Sequence, residues 1–128
     1  MRIMAALAAA FLPMCGPVDQ PKPVTVDGRC VQWESLLEAY NPGWDVVRMS
    51  RIMWRESRCQ PDVRSRTSDT GLLQINDVNH PWLSDRFGVT VDIEALRDPV
   101  VNVAASAELY KFWRRAAGFG YQPWKTGR

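Results

Sequence analysis

The sequence holds one histidine and three cysteines, and its 16 Lys and Arg exceed its 14 Asp and Glu by only two. A single histidine, His80, leaves the usual nitrogen donors of a zinc site missing, and its place before Pro81 suits a helix cap. No metal and no cofactor are expected. The small charge excess is scattered along the chain, without the clustered basic stripe that a nucleic-acid binder needs. There is no phosphate-cradling glycine loop, and no serine sits in a nucleophile-elbow sequence. At 128 residues there is no room for two catalytic domains, whereas an apolar fraction of 46% with six tryptophans is enough for one compact core.

No apolar run is long enough to span a bilayer as a mature helix. The run Ile3 to Met14 after Arg2 instead reads as a secretory signal, so an exported protein is expected, in the periplasm, cell envelope or extracellular space. Cys15 follows Leu12-Pro13-Met14, which resembles a lipoprotein cleavage site with methionine in place of the usual small residue. Membrane attachment through a lipidated Cys15 and removal of the segment both stay open. Pro17, Pro21 and Pro23 make the next stretch an extended tether. Residues 1–29 thus read as signal and tether, and 30–128 as the folded domain, acting as a monomer. Cys30 and Cys59 are the only cysteines of that domain, and an even pair in an exported protein favours a disulfide; the alternative is two buried thiols.

The remaining text reads as helices. Trp33, Leu36, Leu37 and Tyr40 recur at helical spacing from Cys30, and Asn41-Pro42-Gly43 stops the run. A second helix should start after Asp45 and carry Val46, Met49, Ile52 and Met53 on its apolar stripe towards Arg58. Residues 60–70 lack periodicity and predict a surface loop or irregular hairpin. Short helices follow from His80 to Phe87 and from Asp92 to Leu96. The longest begins at Asp98-Pro99, with Val100, Val103, Ala107 and Tyr110 on one face and Gly118 and Gly120 at its end. The fold class is mainly α.

Glu56 lies three, four and seven positions after Met53, Ile52 and Met49, so it continues the apolar stripe of its helix. Burying a charged carboxylate there costs several kcal/mol unless it takes up a proton, which is how a glycosidase keeps an acid ready for a leaving group. The plainer alternative is a glutamate at a helix end that swings out to Arg55 or Arg58.

Arg55-Glu56-Ser57, followed fifteen residues after the glutamate by Gly71-Leu72-Leu73-Gln74-Ile75-Asn76, resembles the Glu-Ser and Gly-Leu-Met-Gln signature of soluble lytic transglycosylases in the lysozyme-like superfamily. Asn102-Val103, Leu109-Tyr110 and Pro123-Trp124 look like the closing segment of its small bacterial and phage members. The resemblance covers about residues 30 to 128.

The resemblance implies a lysozyme-like domain with a small irregular or hairpin segment beside a sugar cleft. It also implies cleavage of the β-1,4 bond between N-acetylmuramic acid and N-acetylglucosamine in peptidoglycan. Glu56 would protonate the leaving oxygen and then act as base on the muramic 6-hydroxyl, giving a 1,6-anhydro end, where a hydrolase would activate water. Ser57 would orient the glutamate or a sugar acetamide, or bond back to a helix carbonyl. Gln74 and Asn76 match polar positions beside the family's cleft, and Asn76 equally suits capping the next turn. Tyr110 falls eight residues after Asn102 rather than seven, with Leu109 in the family's tyrosine place. Trp82 and Trp124 read as core or as stacking platforms. Asp69, two residues before Gly71, also resembles the second carboxylate of animal-type lysozymes, which a retaining hydrolase needs about 5 Å from its acid; its other reading is turn chemistry beside Thr67 and Ser68. Two alternatives stay open: a hydrolytic lysozyme using Asp69, and a binding module that holds glycan or protein without cutting it.

Overall fold

The computed structural model describes residues 29–125; the signal-like run, Cys15 and the proline-rich stretch lie outside the described residues. The chain enters through a 3-10 turn, Val31–Trp33, which runs into helix α1, Glu34–Ala39. Regular α-helix therefore starts later than the apolar spacing predicts. Cys30 is held out of helical geometry at φ −111° and ψ 62°, with its N–H donating to Ser50 Oγ at 2.8 Å and its sulfur bonded to Cys59.

Helix α2, Val46–Ser57, begins as the sequence predicts, with the Asp45 side chain accepting from Arg48 N–H at 2.9 Å. Met49, Ile52 and Met53 are buried along its stripe. Its end is sharp because Arg58 and Cys59 both take left-handed backbone, at φ 55° and 66°, which turns the chain back towards Cys30. The Cys30–Cys59 disulfide closes that return, and Trp33 Nε1 donates to the Cys59 carbonyl at 2.9 Å.

The aperiodic stretch 60–70 leads into a small antiparallel hairpin of β1, Asp69–Thr70, and β2, Ile75–Asn76, with Asp69 opposite Asn76 and Thr70 opposite Ile75. An isolated bridge between Arg64 and Thr70 adds a further edge. Helix α3, His80–Phe87, follows and ends at Gly88. His80 is its first residue rather than its cap, and the ring lies 3.3 Å from Asp77. Asp92 caps the short α4, Ile93–Leu96. Asp98 caps α5, Pro99–Ala117, through bonds from Val100 and Val101 N–H.

Helix α5 is the central element. From Val101 to Ala107 every residue is buried, on all sides rather than on one face, because alanine, serine and valine let neighbours approach closely from each direction. Helices α1 and α4 and the closing turn Gln122–Trp124 pack on it. The core gathers Leu37, Met49, Met53, Leu72, Leu73, Leu83, Leu96, Val101 and Val103, each fully buried and each contributing about 1.5–3 kcal/mol. No helix among the described residues is long and apolar enough to cross a membrane.

Candidate active site

Glu56 is the penultimate residue of α2, where the buried stripe runs out into solvent. Its side chain is 11% exposed and its Oε2 lies 3.3 Å from Arg55 Nη2. The pairing with Arg55 therefore forms without the carboxylate swinging out into water. The same Arg55 nitrogen donates to the Trp124 carbonyl, so one guanidinium joins the end of α2 to the closing turn.

Ser57 follows Glu56 as the last residue of α2. It is buried, and its hydroxyl lies 3.1 Å from the Met53 carbonyl and 2.8 Å from the Leu72 carbonyl. The first contact is the local back-bond open to any helical serine; the second fastens the residue after Glu56 to the loop between the two strands.

That loop is held from three sides. Besides Ser57 from α2, Asn102 from α5 accepts from Leu73 N–H at 2.9 Å and donates to the Thr70 and Leu96 carbonyls at 3.0 and 2.9 Å. Trp124 Nε1 donates to the Leu73 carbonyl at 2.8 Å from the closing turn. Gly71 sits at φ 84°, and a Cβ there would collide with the Asn102 amide and the Leu96 carbonyl. Glycine is demanded both by backbone and by space.

Gln74 and Asn76 are used within the hairpin. Gln74 is buried at φ 50°, with Nε2 donating to the Val63 and Gly71 carbonyls. Asn76 donates to the Thr67 carbonyl and to Asp69 Oδ1, and its own oxygen accepts from Val78 N–H. Asp69 is 8% exposed; its Oδ2 accepts from the Ser65 and Thr67 hydroxyls. Arg64 braces the same hairpin, reaching Thr70 Oγ1 at 2.8 Å and both oxygens of Asp77 at 2.7 and 2.8 Å. That guanidinium holds the Asp77 carboxyl below the ordinary carboxylate range.

Tyr110 is a buried residue of α5. Its ring meets Trp44 and Tyr121 edge-on at 5.6 and 5.1 Å, and its hydroxyl donates to the Gly43 carbonyl at 3.4 Å. Trp124 is a core residue, 2% exposed, while Trp82 is half-buried and meets Phe112 edge-on at 5.5 Å.

Two features were not read from sequence. Asn102 entered only as part of a closing segment, although a polar residue inside a run of small apolar ones is itself a signal. Arg48, Arg51 and Arg55 recur at three- and four-residue intervals and share one side of α2, bordering a groove of about 560 Å³ with Phe119, Tyr121 and Lys125. The family model described as the transglycosylase SLT domain matches residues 37–124, which spans α2, the hairpin and α5. No curated protein and no solved structure matches the chain.

Proposed function

The chain belongs to the transglycosylase SLT domain family, and from that membership we propose that it is an exported lytic transglycosylase that cuts peptidoglycan with Glu56 as its acid and base. The observation that carries this is the placement of Glu56. Its side chain is largely covered, at the end of a helix whose next residue is tied to the Gly71–Asn76 segment. The bond cut is the β-1,4 link from N-acetylmuramic acid to N-acetylglucosamine. Glu56 delivers its proton to the glycosidic oxygen as the bond from that oxygen to muramic C1 breaks. The resulting carboxylate takes the proton of the muramic 6-hydroxyl, and O6 closes onto C1. Atoms balance without water: one glycosidic bond is exchanged for an internal one, and the Glu56 carboxyl recovers the proton it delivered.

The single-carboxylate route is supported by the surroundings of Asp69. Ser65, Thr67 and Asn76 all bond to its oxygens, the pattern of a turn-building aspartate rather than a nucleophile kept open for an anomeric carbon. Gln74 and Asn76 hold the shape of the hairpin, and Ser57 sets the position of Glu56 through Leu72. Export is supported by the Cys30–Cys59 disulfide, which an oxidising compartment preserves.

The test is clearing of purified peptidoglycan by the wild type and by Glu56→Gln, which keeps shape but has no proton to cycle. The variant is expected to lose at least about a hundredfold, the scale of a missing general acid. Equal clearing by the two proteins removes the assignment.

A further inference from the structure

A groove lies against α2. Arg48, Arg51 and Arg55 of α2 line it together with Lys125, Phe119 and Tyr121. The groove is open, encloses about 560 Å³, and is lined by four cationic side chains, of which Arg55 already meets the Glu56 carboxylate. Arg48 is laid over the Tyr121 ring at 3.9 Å and near the Phe119 ring at 5.6 Å, which steadies a long side chain that otherwise moves freely. Arg55 both lines this groove and contacts Glu56.

We infer that this groove binds the carboxylates of the short acidic peptides that branch from the glycan strand. The inference rests on the reading of the chain as a peptidoglycan-cleaving enzyme and adds a peptide site to it. N-acetylated sugars are neutral, and the lactyl acid of muramic acid is spent in the amide that carries the peptide. The negative charge of the strand therefore sits on its peptide branches, and a groove of four cations gains nothing from the sugars. Guanidinium is the group suited to this task, because its planar fork matches a carboxylate with two parallel hydrogen bonds. The shared Arg55 places such a peptide next to the sugar whose bond is cut. The volume falls in the range of pockets that hold compact ligands.

The experiment measures binding, not cleavage, on the full chain carrying Glu56→Gln. The probes are a free stem tetrapeptide, the same peptide with its carboxyls amidated, and a glycerol-phosphate polymer. Saturable binding of the tetrapeptide is expected. Amidation, or the double substitution R48A/R51A, should weaken it at least about tenfold, as losing charge-assisted bonds implies. R48K/R51K, which keeps charge but not the fork, should fall between, and added salt should weaken binding throughout. Circular dichroism establishes that each variant is folded. No saturable tetrapeptide binding, equal binding of the amidated peptide, unchanged binding by folded R48A/R51A, or tighter binding of the phosphate polymer each overturns the inference. None of these results touches the role of Glu56, which the clearing assay tests alone.

Discussion

Replacing Asn102 with alanine removes one side chain that bonds to three buried backbone groups: the Leu73 N–H and the Thr70 and Leu96 carbonyls. Asn102 is fully buried, so bulk water does not reach these groups without an opening of the packing. An unsatisfied buried polar group costs about 1–3 kcal/mol, and a water entering the vacated space recovers part of it, so the net loss should be about 3–5 kcal/mol. For a domain of this size that corresponds to a midpoint roughly 15–30 °C lower. Urea unfolding followed by tryptophan fluorescence, with the disulfide intact, gives the number directly. Asn102→Asp is the matched control. It keeps an acceptor for Leu73 N–H but turns a carboxylate towards two carbonyls, so at neutral pH it should lose at least as much as alanine. Acid should restore part of its stability, because a protonated carboxyl donates again. A loss below about 1 kcal/mol for Asn102→Ala, the range of ordinary surface changes, would refute the view that this amide fixes the hairpin loop.

Removing the Cys30–Cys59 bond, which closes a loop with a sequence separation of 29, should cost about 3–4 kcal/mol on the chain-entropy model; urea midpoints of C30S/C59S against the oxidised wild type measure it, and an unchanged midpoint contradicts it. The Arg64–Asp77 pair predicts a pH dependence whose sign is fixed: the folded Asp77 carboxyl lies below its ordinary value because Arg64 bonds to it, so its contribution is present above the unfolded value near about 3.9 and fades as pH falls through the folded one. The stability gap between wild type and Asp77→Asn should hold from neutral pH to about pH 5 and close in stronger acid; a gap that widens in acid contradicts the pairing.

Much of the helical frame was legible because its signals are local. Asp45, Asp98 and Pro99 announce helix starts within one turn, and Gly118 marks an end in the same way. Glu56 stood out because it breaks a stripe that Met49, Ile52 and Met53 establish on the same helix. The readings that the sequence left open concern contacts between distant residues. Asn102 bonds to Thr70 and Leu73, about thirty positions back, and no periodicity connects them. Arg55 meets the Trp124 carbonyl, sixty-nine positions on, so the arginine-lined groove exists only once the closing turn is folded onto α2. The late start of α1 has a similar cause: a disulfide and Ser50 overrule the local helical pattern at Cys30. On α5 the apolar spacing suggested a single face, whereas small residues all round make it the buried centre.

The central claim is that Glu56 alone carries the proton out and back, with the muramic 6-hydroxyl as the attacking group. Mass spectrometry of muropeptides released by the wild type, Glu56→Gln and Asp69→Asn tests it most directly. The account predicts 1,6-anhydro ends, lighter than reducing ends by one water, from the wild type; Asp69→Asn should keep the same products and most of the rate, and Glu56→Gln should release almost none. Reducing muramic ends, with Asp69→Asn falling as far as Glu56→Gln, would contradict it and make Asp69 the second catalytic carboxylate of a hydrolase.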